Sequence, residues 1–213
     1  MRNIFYLIIL TILAFCTAEE KRLETKENDF VSIPLRPIKE YSFHRKRYYN
    51  LDSLELNRLK LIDTTFYKKY FLGLRLSNLP TELMEFDLYS RYYFFDYKDV
   101  GDLALFSIIH DDEVGYENLY HFTYDKSKNR LLSLDYLAAT GSDAGHQNYD
   151  IFKYNKDGNN LIRISSSKFS HDIDDGSSIQ YDSVIYSILF TKNGTKYIKQ
   201  DSLSRIDTVW IKN

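Results

Sequence analysis

From residue 81 onward the chain alternates apolar and polar positions with a period of two, whereas residues 50–71 space Leu51, Leu54, Leu59, Ile62, Phe66 and Tyr70 mostly three to five positions apart. The first rhythm predicts strands and the second an amphipathic helix, or two short ones. Asn50 or Ser53 suits the start of the first helix and Asp63 or Thr64 the start of a second, because a short side-chain oxygen accepts from an orphan amide of the first turn. A strand remains the alternative locally, since Leu54 and Leu56, then Leu59 and Leu61, also alternate. Residues 30–38 alternate as well, but Pro34 and Pro37 lack a donor, so this stretch is expected as an extended segment wrapping a sheet edge.

Strands are expected over 91–97, 103–110, 119–124, 130–136, 149–154, 161–166, 183–191, 196–201 and 206–211. In the third of these Tyr120, Phe122 and Tyr124 share one face, and His121, on the other, is expected at an exposed or edge position. Lys126-Ser127-Lys128-Asn129, Asp157-Gly158 and Asn193-Gly194 supply turns, Asn and Gly being the residues that tolerate positive φ. Strands joined by turns rather than helices imply antiparallel neighbours. The fold class expected is mainly β (α+β): an antiparallel meander forming a curled sheet or partial barrel, with one or two short helices in the N-terminal third. No repeat of fixed length is present, which argues against a propeller or solenoid.

Composition adds a core and removes a function class. With 44% apolar and 16% aromatic residues the chain is globular in character, and its 19 tyrosines suit core margins and binding surfaces alike. A net charge of −2 without a basic stripe excludes a nucleic-acid partner. The one dense basic cluster, His44-Arg45-Lys46-Arg47, reads as a solvated loop.

The N-terminus carries an address. Residues 4–15 are almost wholly apolar and span about 18 Å as a helix, too short for the roughly 20 residues a membrane crossing needs. Following Arg2 and ending in small residues, residues 1–16 read as a signal peptide, 17–29 as a polar tether, and 30–213 as a single globular domain, helical or irregular over 30–80 and sheet over 81–213. Cleavage after Cys16-Thr17-Ala18 yields a soluble periplasmic or secreted protein; lipidation is the other route. Leu13-Ala14-Phe15-Cys16 resembles the lipobox of bacterial lipoproteins, with Phe15 where a small residue is usual, and Glu19-Glu20 resembles the acidic export tag of Bacteroidota surface lipoproteins. The resemblance implies an acylated Cys16 and a membrane anchor at the bacterial outer membrane or cell surface. Cys16 is the sole cysteine, so the body holds no disulfide, no thiol nucleophile and no thiolate metal site.

Three segments could carry chemistry. Residues 140–148 read as a long, polar, glycine-containing loop, with Asp143, His146 and Asn148 as candidate ligand-binding residues. Asp172, Asp174 and Asp175, beside Gly176, offer hard oxygen ligands that calcium accepts; no other cofactor is expected. His110-Asp111-Asp112-Glu113 reads as another acidic turn. Two functions fit: a non-enzymatic binding or structural lipoprotein presenting a sheet face or loops to a glycan or protein partner, or an envelope hydrolase pairing Asp143 with Asp172 or Asp174.

Overall fold

The computed structural model describes residues 28, 31–44, 48–50, 55–83, 89–112, 115–155, 160–173 and 176–210. Eight strands follow one another as antiparallel neighbours: β4 (Arg91–Val100), β5 (Leu103–Asp111), β6 (Tyr116–Asp125), β7 (Arg130–Asp143), β8 (His146–Tyr154), β9 (Asn160–Ile173), β10 (Gly176–Thr191) and β11 (Gly194–Trp210). Before them come α1 (Leu35–Tyr41), β1 (Phe43–His44), β2 (Tyr48–Asn50), a 3₁₀ turn at Leu56–Arg58, β3 (Lys60–Leu61) and α2 (Thr64–Tyr70). Among the described residues the fold is thus mainly antiparallel β with two short helices, and its sheet is open, with β1 at one end of the path and β11 at the other.

Turn chemistry follows the sequence with one refinement. Between β6 and β7 the Asp125 carboxylate accepts from the Ser127 amide at 2.9 Å, the Ser127 hydroxyl at 2.6 Å and the Lys128 amide at 3.1 Å, folding the chain back on itself. Between β10 and β11, Thr191 pairs with Gly194, and of the Asn193-Gly194 pair only Gly194 takes a positive φ, +97°.

Strands β4 to β7 are buried on both faces, because β8 pairs with β7 over only three positions, Gly141 with Asn148 to Asp143 with His146, and the strands then part. On the front, Phe94, Phe106, Phe122 and Leu134 pack with Ile38 of α1, Tyr67 of α2 and Phe71 just after it. On the back, Phe95, Leu105 and Leu119 pack with Phe152, Leu161 and Ile188. Tyr120, Phe122 and Tyr124 do share the front face, but the expectation of an exposed His121 fails: it is fully buried, with its ring stacked on Phe190 at 4.1 Å. Alternation correctly put His121 on the far face; that β10 covers this face is a tertiary event.

The N-terminal segment closes edges. On the outer edge of β4, β1 pairs in parallel (Phe43 with Asp96) and β3 antiparallel (Lys60 with Phe94). Strand β2 covers β8, Tyr49 facing Phe152. Along β7 the Ser77 amide donates to the Leu134 carbonyl at 2.6 Å, and the Asn78 side chain accepts from the Tyr136 amide at 2.9 Å and donates to its carbonyl at 2.7 Å, so two residues stand in for a strand.

Two helix expectations are adjusted. Residues 30–38 are not wholly extended, since α1 starts at Leu35; Pro37 falls in its first turn, where an amide has no intrahelical acceptor to lose. The second short helix of 50–71 is present as α2, with the Asp63 carboxylate accepting from the Phe66 amide at 2.9 Å, while residues 51–54 lie outside the described residues.

Helix α1 is pinned to the sheet through Asp99. Its carboxylate accepts from Lys39 at 2.8 Å, and from Lys126 and the Tyr97 hydroxyl at 2.9 Å. Partial burial pushes this carboxyl up, but those three donors outweigh it and hold it at about 2. Because the folded-state value lies below the unfolded one, the contribution is present above the ordinary aspartate range and is lost as pH falls through about 2. The side chain is 39% exposed, so Asp99→Asn is expected to cost no more than about 1 kcal/mol at neutral pH. Thermal melts of the two proteins should converge as pH approaches about 2 and as salt rises.

Candidate functional site

The segment 140–148 is a hairpin rather than a long loop. Asp143 faces His146 in register and only Ala144 and Gly145 lie between, both left-handed at φ +44° and +83°. Two consecutive positive φ values match the right-handed twist of the flanking strands. The Gly145 carbonyl accepts from the Ser170 amide at 2.9 Å, seating the turn on β9. A β-carbon on Gly145 would lie 2.6 Å from the Ser170 carbonyl oxygen, so Gly145→Ala must displace backbone. It is expected to cost about 1–3 kcal/mol, readable as a lowered melting temperature.

This hairpin brings the three candidate ligand-binding residues together. Asp143 and His146 are directly opposed, and Asn148, two residues along β8, faces Gly141 and Ser167. Asp143 is exposed, while His146 and Asn148 are half-buried. His146 Nδ1 lies 3.2 Å from the Tyr116 hydroxyl, and its ring meets Phe169 at 6.2 Å. Asp112 accepts from the Tyr116 amide at 2.8 Å and from Asn118 at 3.4 Å, and the Tyr136 hydroxyl donates to Asn118 at 3.2 Å. Burial pushes the Tyr136 hydroxyl up to about 12, with Asp150, Tyr116 and Asp112 adding to the rise and Arg163 opposing it. Tyr136 therefore stays a donor at neutral pH.

Beneath this surface Asp150 is 2% exposed. Arg163 grips it with two bonds, Nε at 3.0 Å and Nη2 at 2.7 Å, and the Ala139 amide donates to it at 2.7 Å. Both oxygens are engaged, so this carboxylate ties β7, β8 and β9 together and is not disposed as a general base.

The other predicted positions fall elsewhere. Asp172 lies in β9 opposite Ser177, at a register position of opposite parity to Phe169, which faces His146. Asp174 and Asp175 lie outside the described residues, as do Arg45, Lys46, Arg47, Glu113 and the Asp157-Gly158 turn. His110 and Asp111 belong to β5 rather than to a turn; His110 Nε2 is 3.0 Å from the Ser90 hydroxyl and its ring stacks on Tyr92 at 4.4 Å. Among the described residues, no three His, Cys, Asp or Glu side chains converge as a metal site would require, and no helix is long and apolar enough to cross a membrane.

Two surfaces were not anticipated. An open cleft of about 340 Å³ lies between α1 and the 3₁₀ turn, lined by Glu40, Tyr41, Arg58 and Lys60. Lys60 sits 5.0 Å above the Tyr41 ring there. The second is the outer face of β8 to β11, opposite the face that carries Phe152, Leu161 and Ile188 into the core. Register aligns Ile151, Ile164 and Ile185 in one row, Ile162 and Ile198 in the next, and Leu203 beside them. Ile162, Ile164, Ile198 and Leu203 are 49%, 38%, 37% and 69% exposed. Its signal in the sequence is that residues 161–164 are apolar at both parities, apart from Arg163, so one apolar set must face outward. Compared with protein-family models, curated proteins and solved structures, the chain gives no significant match.

Proposed function

We propose that this is a non-enzymatic envelope lipoprotein, exported and held at the outer membrane or cell surface by an acylated Cys16, whose body docks a protein partner through the outer face of β8 to β11. The observation that carries the reading is the contiguous aliphatic patch on that face, with Leu203 69% exposed at its side. Leaving such a row in water disfavours a free monomer, and rows of this kind mark interaction surfaces. Its exposed members are mainly branched aliphatics, with Tyr149 in the row of Leu203 and Tyr181 two positions along, and sugar rings stack on aromatic faces, so a protein partner suits it better than a glycan. The engagement of Asp150 by Arg163 and Ala139 removes that carboxylate as a general base.

The test is site-specific photo-crosslinking in producing cells. A crosslinker at Ile164 or Ile198 should give discrete protein adducts and one at Lys128, in the exposed β6–β7 turn, none. No adducts from either isoleucine position would sink the docking face. Metabolic acyl labelling addresses the anchor separately: wild type should incorporate label and Cys16→Ala should not, and an unlabelled wild type would overturn the lipid attachment.

A further inference from the structure

We infer that the protein pairs with a second copy of itself along β11, antiparallel and with Ile206 on the two-fold axis. Three observations carry this. First, β4, β7 and β8 each have an edge closed by N-terminal residues, whereas β11, 17 residues long, is laddered only to β10 at the end of the described sheet; its first residues meet β7 and Asn78 through Thr195 and Tyr197, and no described residue bonds the outer edge of 202–210. A long strand edge with unpaired backbone groups is a template for another strand. Second, among the described residues the two most exposed large apolar side chains lie on this strand, Leu203 at 69% and Ile206 at 65%.

Third, the order of charges is self-complementary in one register. With Ile206 opposite Ile206 of the second copy, Arg205 of each chain faces Asp207 of the other, twice over, and Leu203 faces Val209. Moving the axis to Ser204 sets Asp201 against Asp207, and moving it to Arg205 sets that guanidinium against itself; like charges directly opposed are unfavourable. The chosen register also avoids the bulge at Gln200, where the partners of Ile185 and Tyr186 jump from Asp201 to Lys199, so the pairing runs along unbroken strand from 202 to 210. In each chain Arg205 already meets Asp207 at 2.9 Å with both groups largely in water; its remaining donors serve the second copy. The contact uses the strand edge; it shares Leu203 with the docking face but leaves Ile151, Ile162, Ile164 and Ile198 open, so each can fail without the other. One strand pair buries little area, and the association is therefore weak and concentration-dependent.

The experiment is sedimentation equilibrium on the protein as isolated from producing cells, across a wide concentration range. Wild type should pass from monomer to dimer. Arg205→Asp, which leaves two acidic positions opposed, and Asp207→Arg, which leaves two basic ones, should each weaken the dimer by at least about tenfold. An equimolar mixture of the two variants should restore it, because each then meets its opposite. Ile206→Cys should give a disulfide-linked dimer on oxidation, since directly opposed positions of an antiparallel pair lie within disulfide reach. All substituted side chains are on the surface, and circular dichroism of each variant is the check that the fold is kept. A wild type that stays monomeric throughout, single variants that associate like wild type, or a mixture that stays monomeric would each overturn the pairing. Ile164→Lys should leave it intact while abolishing envelope adducts, which separates its failure from that of the docking face.

Discussion

Truncating Arg163 to alanine is expected to destabilise the fold by about 3–5 kcal/mol, among the largest effects of any single substitution. The Asp150 carboxylate it holds is 2% exposed, and without the guanidinium it keeps only the Ala139 amide as a donor. An ion taken out of water with its partner removed is costly, because the desolvation remains and the attraction is gone. For a domain of this size, a loss of that order lowers the melting temperature by about 10 °C. Replacing both residues by leucine should recover most of the loss, since no charge is then stranded, although the Ala139 amide loses its acceptor. Thermal and urea unfolding of the two single variants and the double one measure the coupling directly. A coupling near zero would mean that Asp150 and Arg163 contribute independently.

The second large effect is Phe122→Ala, expected to cost about 3–5 kcal/mol. The ring is fully buried, stacked on Phe106 of β5 at 4.5 Å and tilted against Phe71 at 5.1 Å. It joins the middle of the sheet to the chain just past α2, so its loss opens a cavity that neither side can fill alone. Urea unfolding should show a lowered midpoint, and exposed apolar surface should then bind a hydrophobic dye at lower denaturant than in wild type. An unchanged midpoint would show that the front layer is held by other contacts.

These residues also show what could be read from the chain. Phe122 was placed correctly because strand alternation is local, and β5, apolar at nearly every position from Leu103 to Ile109, is a strand covered on both sides. The burial of His121 is not legible locally, because whether the opposite face is covered depends on strands some 70 residues away in sequence, namely β10 and its Phe190. The 140–148 hairpin looks like a loop in the sequence because its left-handed pair is Ala144-Gly145, and alanine rarely announces that conformation. Asp143, His146 and Asn148 were legible as a group since a hairpin keeps neighbours near. Tyr116, 30 residues before His146, was not, and neither was the Arg163 clasp on Asp150. The edge-closing pieces are only two or three residues each, too short to leave a periodicity.

Those edge pieces set an order of events during synthesis. Residues 43–44, 48–50 and 77–78 each complete a ladder on a strand that leaves the ribosome later, and Tyr49 must wait for Phe152. Non-local closures of this kind are slow, because the chain entropy of bringing distant segments together precedes any gain from contact. Those short segments therefore take their places only after β4, β7 and β8 have been made, so the sheet carries open edges until late in synthesis.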